Sequence, residues 1–126
     1  MQDQQTAIIQ QYIQAYNQFD IAGMLQNLHP DIHFQNVNNG QLDLETKGIA
    51  AFKVQAEKAT QYFKARQQKI AHWTFREDTV VVEIDYEGIL AIDLPNGMKA
   101  GERLQLKGRS EFTFAAMKII QLRDVV

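Results

Sequence analysis

Residues 8–36, IIQQYIQAYNQFDIAGMLQNLHPDIHFQN, decide the fold of this chain. In the first half of the stretch, apolar residues recur at spacings of three and four, which is typical of a helix with one buried face. These residues are Ile9, Tyr12, Ile13 and Tyr16. The pattern predicts a first helix that begins at Asp3 or Gln4 and ends near Gln18, with its apolar stripe turned towards the core.

The second half of the stretch predicts a short helix and then a strand. Asp20 is suited to cap this helix, which must end near His29 because Pro30 cannot continue it. Residues 31–36 then alternate, with Phe34 and Asn36 on one face of the strand. We therefore expect two rigidly joined helices that lead into the first strand of a sheet.

The remaining chain predicts one more helix and a meander of strands. A period of three and four favours a helix over residues 48–63, and alternation favours strands over residues 42–45, 69–75, 80–94, 104–114 and 118–125. We predict one α+β domain spanning residues 1–126, a conical fold in which three N-terminal helices pack in a strongly curved, mostly antiparallel sheet. Gly88 and Gly108 predict bends or bulges that curl this sheet. Such a cone encloses a cavity at its wide end.

Composition excludes several classes of partner. The chain has 126 residues, of which 45% are hydrophobic and 22% are charged, and a net charge of -2, so it has no electrostatic footprint for nucleic acid or an anionic membrane. It contains no cysteine, and its first residues, MQDQQTA, lack the pattern of a signal peptide. We expect a cytoplasmic protein that binds neither nucleic acid nor membrane.

The chain resembles the SnoaL-like branch of the nuclear transport factor two-like superfamily, which includes polyketide cyclases and ketosteroid isomerase. Residues 8–34 are similar to the family's opening helix pair and first strand, and residues 47–49 to the start of its third helix. Residues 87–114, EGILAIDLPNGMKAGERLQLKGRSEFTF, and residues 118–124, KIIQLRD, are similar to its last three strands. The resemblance implies the cone, its cavity and a homodimer formed through the outer face of the sheet.

The resemblance also implies roles for three residues. Tyr12 falls where ketosteroid isomerases keep the tyrosine that donates a hydrogen bond to the developing enolate. Asn36 and Ser110 fall where the isomerases keep acidic groups, the first of them the aspartate base. Because neither an amide nor a hydroxyl takes up a proton at neutral pH, steroid-type isomerisation is not expected.

Three functions are consistent with the sequence. The first is binding of a small apolar ligand, polyketide-, steroid- or aromatic-like, with no usual acidic catalytic residue. The second is a cyclase, isomerase or dehydratase in which Tyr12 is the donor and the base is unidentified, with His72 and Asp43 as candidates. The third is a protein-interaction module with a collapsed core. We predict ligand contacts from nine residues: Tyr12, Tyr16, Phe34, Asn36, Phe52, Trp73, Tyr86, Ser110 and Phe112.

Other polar residues are assigned less specific roles. Trp73 and His72 have opposite strand parity, so only one of them faces the cavity. His29 and His33 are turned apart by Pro30, so no metal site and no cofactor are predicted. Arg123 and Asp124 resemble the family's closing Arg-Asp and are expected to form a surface pair.

Overall fold

The structure is a computed structural model that describes residues 2–126. Its helices are α1 (Gln2–Asn17), α2 (Ile21–Leu25) and α3 (Ile49–Thr60). Its strands are β1 (Leu28–Asn38), β2 (Gln41–Lys47), β3 (Phe63–Phe75), β4 (Thr79–Leu90), β5 (Arg103–Ala115) and β6 (Lys118–Val125). The strands form one sheet in the order β2-β1-β6-β5-β4-β3.

This sheet confirms the α+β class and its mostly antiparallel character. Every neighbouring pair is antiparallel except β1 and β6, which run parallel, so the first strand lies beside the last. The core lies between α1 and the inner face of the sheet, where Ile9, Val82 and Phe112 are fully buried. No helix in residues 2–126 has the length and apolarity needed to cross a membrane.

The junction of the first two helices forms as predicted, but the second helix is shorter than expected. The Asp20 carboxylate accepts a hydrogen bond from the Gly23 backbone N–H at 3.0 Å, which caps α2. The helix ends at Leu25, and β1 begins at Leu28, before Pro30. Leu28 pairs with Ile119 of β6, so pairing with the last strand ends the helix earlier than the proline does.

The start of β3 corrects a second boundary. The sequence predicts a helix to residue 63 and a strand from residue 69, whereas α3 ends at Thr60 and β3 begins at Phe63. Residues 66 and 68 are already paired with Gly88 and Tyr86 of β4. The side chains of Arg66 and Gln68 are thereby placed on the buried side of the sheet.

The two faces of β4 and β5 divide as their alternation predicts. Val80, Val82 and Ile84 are buried, whereas the outer face carries ion pairs. Lys107 lies 3.4 Å from Asp85, and Arg103 lies 3.3 Å from Glu87. These pairs are exposed, so each contributes little to stability.

The predicted bulges at Gly88 and Gly108 are not found where β4 meets β5. The register of these strands is continuous, and the shifts lie in other strand pairs. Gly108 instead permits a close approach, because a Cβ there would lie 2.5 Å from the carbonyl oxygen of Val125. This glycine lets the end of β6 lie against β5.

Candidate active site

A cavity of about 300 Å³ lies between the helices and the inner face of the sheet. Most of its wall is apolar and aromatic. Phe34 and Phe52 meet edge to face with ring centroids 5.5 Å apart, and Phe63 meets Tyr86 in the same way at 5.9 Å. The core is therefore not collapsed, although collapse was the premise of the interaction-module alternative. The volume lies at the lower end of the range for small-molecule sites.

Seven of the nine residues predicted to contact a ligand line this cavity: Tyr12, Tyr16, Phe34, Asn36, Phe52, Tyr86 and Ser110. Phe112 does not line it, because the ring is fully buried behind Tyr12, with the two centroids 5.9 Å apart. Trp73 is also outside the lining and stacks on Phe75 instead, at 6.0 Å. Both aromatic residues belong to the core that supports the cavity.

The two bases considered from the sequence do not lie at the cavity. His72 is exposed and pairs in register with Glu83, whose side chain belongs to the outer face. Asp43 is exposed on the edge strand β2. His33 is bound to Glu45 at 2.6 Å, also away from the lining. None of these groups can exchange a proton directly with a ligand in the cavity.

Asp124 supplies a carboxyl group in the cavity wall that was not predicted from the sequence. It lies in β6 between Asn36 of β1 and Ser110 of β5, and all three line the cavity. The expected surface pair with Arg123 is wrong, because neighbouring residues of a strand point to opposite faces and Arg123 is the exposed one. The available signal was parity, since Asp124 falls two residues after the fully buried Leu122.

The environment of Asp124 changes its acidity. Burial raises the pKa of Asp124 to about 6, and a hydrogen bond from Ser110 opposes that rise. The Ser110 hydroxyl donates to Oδ1 at 2.6 Å, while Oδ2 has no hydrogen-bond partner within residues 2–126. Asp124 thus combines a pKa near neutrality with one unoccupied carboxyl oxygen.

Tyr12 is the donor that faces the same end of the cavity. Its side chain is buried, and its hydroxyl has no hydrogen-bond partner in the described chain. Burial, and then the negative charge of Asp124, raise the pKa of Tyr12 well above its ordinary value. The hydroxyl therefore stays protonated at neutral pH and is free to donate. We call Tyr12, Asn36, Ser110 and Asp124 the carboxyl end of the cavity.

A second polar group lies around Tyr16. The hydroxyls of Tyr16 and Tyr86 are 2.8 Å apart, and both phenols have a raised pKa chiefly because they are buried. Arg66 is only 5% exposed, and its guanidinium carbon lies 3.7 Å from the centre of the Tyr16 ring. Gln68 is the next inward residue of β3. We call Tyr16, Arg66, Gln68 and Tyr86 the guanidinium end; its two β3 members were missed because the strand was predicted to begin at residue 69.

The fold and this cavity define a small conical α+β domain with polar groups inside an apolar pocket. The chain belongs to the SnoaL-like domain family, whose model matches residues 9–122. Asp124 lies just beyond the matched residues. No curated protein matches the chain.

Solved structures from several bacteria share the fold. A proposed polyketide cyclase from Xanthomonas campestris pv. campestris is 21% identical with a TM-score of 0.83, and the match covers 98% of this chain and 90% of that one. A proposed SnoaL-like polyketide cyclase from Jannaschia sp. CCS1 is 14% identical with a TM-score of 0.79, covering 97% and 84%. AclR, a proposed hydroxylase from Streptomyces galilaeus, is 19% identical with a TM-score of 0.75, covering 96% and 86%.

These likenesses establish the fold alone. The three proteins carry two different assigned activities, in line with the general rule that one fold supports many reactions. The function must therefore be argued from the residues of this cavity.

Proposed function

We propose that this chain is an acid–base enzyme that binds a small, largely apolar carbonyl compound and moves a proton at the carbon next to the carbonyl group. Asp124 is the base and Tyr12 is the donor to the carbonyl oxygen. The observation that carries the proposal is the partly buried Asp124 carboxyl in the cavity wall, held by Ser110 at 2.6 Å, with its pKa raised to about 6. The reaction class includes the aldol-type ring closures and isomerisations that begin with such a proton transfer.

The acidity of Asp124 supports this role. An ordinary aspartate with a pKa of 3.8 is a weak base, whereas a carboxylate with a pKa of about 6 is both mostly ionised at pH 7 and considerably more basic. Because Ser110 occupies Oδ1, the other oxygen is left for the substrate. The proton passes from the substrate carbon to Oδ2, and the electron pair moves onto the carbonyl oxygen.

The developing negative charge on that oxygen needs hydrogen-bond donors. Tyr12 offers a neutral hydroxyl with no other partner in residues 2–126, and Asn36 offers an amide on the strand beside Asp124. Donors of this kind favour the enolate over the ketone in an apolar cavity. Tyr12 thus keeps the role that the resemblance implied, and the base comes from β6 instead of β1.

Binding of a ligand without turnover is the competing function. The main argument for it, the lack of an acidic residue in the cavity, is weakened by Asp124. It rested on the neutral residues Asn36 and Ser110, which stand at positions where the isomerases are acidic. Both residues flank Asp124 in the sheet, so the cavity contains a carboxyl group one strand away from each of these positions.

The test is exchange of the α-protons of 2-tetralone, a bicyclic ketone, followed by NMR in heavy water. The wild-type protein is expected to accelerate exchange above the buffer rate, and Asp124→Asn is expected to lower that acceleration by about 100-fold or more. Asp85→Asn is the matched control, since it removes a carboxylate from the exposed outer face. Tetralone that binds without accelerated exchange would indicate a binding protein, and equal exchange by Asp124→Asn would exclude Asp124 as the base.

A further inference from the structure

We infer that the guanidinium end of the cavity binds a carboxylate group of the ligand, and that Arg66 is the residue that recognises it. The inference relies on the proposed function only for the location of the ligand. Its basis is an arginine with unused hydrogen-bonding capacity, buried in the wall of an apolar cavity.

Arg66 has no acidic partner in the part of the chain that the structure describes. Its side chain is 5% exposed, and it forms no ion pair with any residue between 2 and 126. A buried charge without a counter-ion is costly, so native proteins pair such groups or use them to bind something. The nearest compensation is the C-terminal end of α1, where the Nε–H donates to the Tyr16 carbonyl oxygen at 2.8 Å. A helix end carries only about half a unit of negative charge, so part of the positive charge remains uncompensated.

The guanidinium group is also held rigidly. One flat face lies over the Tyr16 ring at 3.7 Å, and the Phe19 ring lies 4.5 Å away. Within residues 2–126, the guanidinium forms one hydrogen bond besides that of Nε, a weak one from Nη2 to the Met24 sulfur at 4.0 Å. The N–H groups of a guanidinium lie in its plane, and the aromatic rings lie over its faces, so the unused N–H groups stay available to the two oxygens of a carboxylate.

Gln68 provides a second, independent sign of an absent ligand. Its side-chain oxygen is buried and has no hydrogen-bond partner in the described part of the chain. The residue is 9% exposed, lines the cavity and follows Arg66 on the inner face of β3. Native structures rarely leave such an atom unpaired. This oxygen only accepts hydrogen bonds, so it would pair with a hydroxyl or N–H group of the ligand, whereas the ligand carboxylate would pair with Arg66.

The charge of the cavity selects the kind of anion. Arg66 contributes one positive charge, and Asp124 contributes one negative charge once it is ionised. With Asp124 protonated, a single carboxylate neutralises Arg66, whereas a phosphate dianion leaves one excess negative charge, and ionisation of Asp124 adds one more negative charge in either case. The aromatic lining favours a flat apolar body on that carboxylate.

The experiment compares two probes of one shape, 2-naphthoate and 2-naphthamide, by isothermal titration calorimetry at pH 7.5. We expect the wild-type protein to bind naphthoate at least about tenfold more tightly than naphthamide, since charged hydrogen bonds are stronger than neutral ones. Arg66→Met is expected to abolish this preference while changing naphthamide affinity by less than about threefold. Lys64→Met is the matched control, because it removes the same charge from an exposed position of the same strand and should keep the preference.

Two further variants, Arg66→Lys and Asp124→Asn, are measured with the same two probes. If Arg66→Met does not fold, Arg66→Lys keeps the charge without the planar fork and is expected to lose about threefold or more of the preference. Asp124→Asn should retain the preference, so a failed exchange test with a retained preference removes only the proposed catalysis. Equal affinity of the two probes for the wild-type protein, or an unchanged preference in both Arg66 variants, would overturn the inference.

Discussion

Asp124→Asn should make the protein more stable at neutral pH, and the size of the gain follows from the acidity of one carboxyl group. The pKa of Asp124 is about 6 in the folded protein, against an ordinary value of 3.8, which we take for the unfolded chain. Between these values the folded protein keeps a proton that the unfolded chain has lost, so protonation favours the folded state. Above pH 6 this contribution is gone, and the folded protein buries an ionised carboxylate.

The separation of the two pKa values corresponds to about 3 kcal/mol of unfolding free energy in total, of which about 1.4 kcal/mol is lost between pH 5 and pH 8. Asparagine has nearly the same shape, can still accept the Ser110 hydrogen bond and does not titrate. The free energy of unfolding of the variant minus that of the wild type should therefore rise by about 1.4 kcal/mol over this pH range.

Urea unfolding at pH 5, 6, 7 and 8 measures this difference, with Asp85→Asn as the control for a change in net charge. Subtracting the wild-type curve cancels the titration of all groups that the two proteins share. A difference that stays constant within about 0.3 kcal/mol would refute the reasoning, because it would mean that Asp124 has the same pKa in both states.

Three other expectations can be tested directly. Gly108→Ala should lower the free energy of unfolding by about 1–3 kcal/mol, because the new Cβ would lie 2.5 Å from the Val125 carbonyl oxygen and the backbone would have to move. Urea unfolding measures this loss, and an unchanged midpoint would contradict the close approach. Tyr12→Phe should lower the rate of tetralone exchange by about 10- to 100-fold. It should change the free energy of unfolding by less than about 1 kcal/mol, since the hydroxyl has no hydrogen-bond partner in residues 2–126. Equal losses in exchange and in tetralone binding would instead indicate that Tyr12 only contacts the ligand. The homodimer implied by the resemblance stays a prediction, which native mass spectrometry tests, and a monomer at micromolar concentration would contradict it.

The fold could be predicted because its signals are local and repeated. The 3.6-residue stripe of α1, the cap at Asp20 and the alternation of β4 and β5 each specify an element without knowledge of its neighbours. The errors in the fold arose where pairing between distant strands decides the boundary. β1 begins before Pro30 because it pairs with β6, and β3 begins at Phe63 because it pairs with β4.

The same distinction explains what was missed in the cavity. Tyr12, Asn36 and Ser110 were expected to face the cavity from alternation and resemblance, and they line it, whereas Asp124 was assigned to the surface although its parity with Leu122 indicated the core. Arg66 could not be found once the strand was started too late. Trp73 and Phe112 were expected at the cavity because inward parity does not distinguish a wall residue from the core layer behind it.

The two charged groups of the cavity also act on each other through any anionic ligand. A carboxylate bound at Arg66 brings a negative charge into the apolar space that Asp124 shares, and a nearby negative charge disfavours ionisation of a carboxyl group. If the ligand binds at Arg66 as inferred, its binding would raise the pKa of Asp124, and by linkage the affinity for an anionic ligand would fall as pH rises through about 6. A higher pKa makes the ionised carboxylate a stronger base but lowers the fraction of Asp124 that is ionised at neutral pH. A neutral ligand has no such effect, so the guanidinium end would select an anionic substrate and couple its binding to the protonation of Asp124.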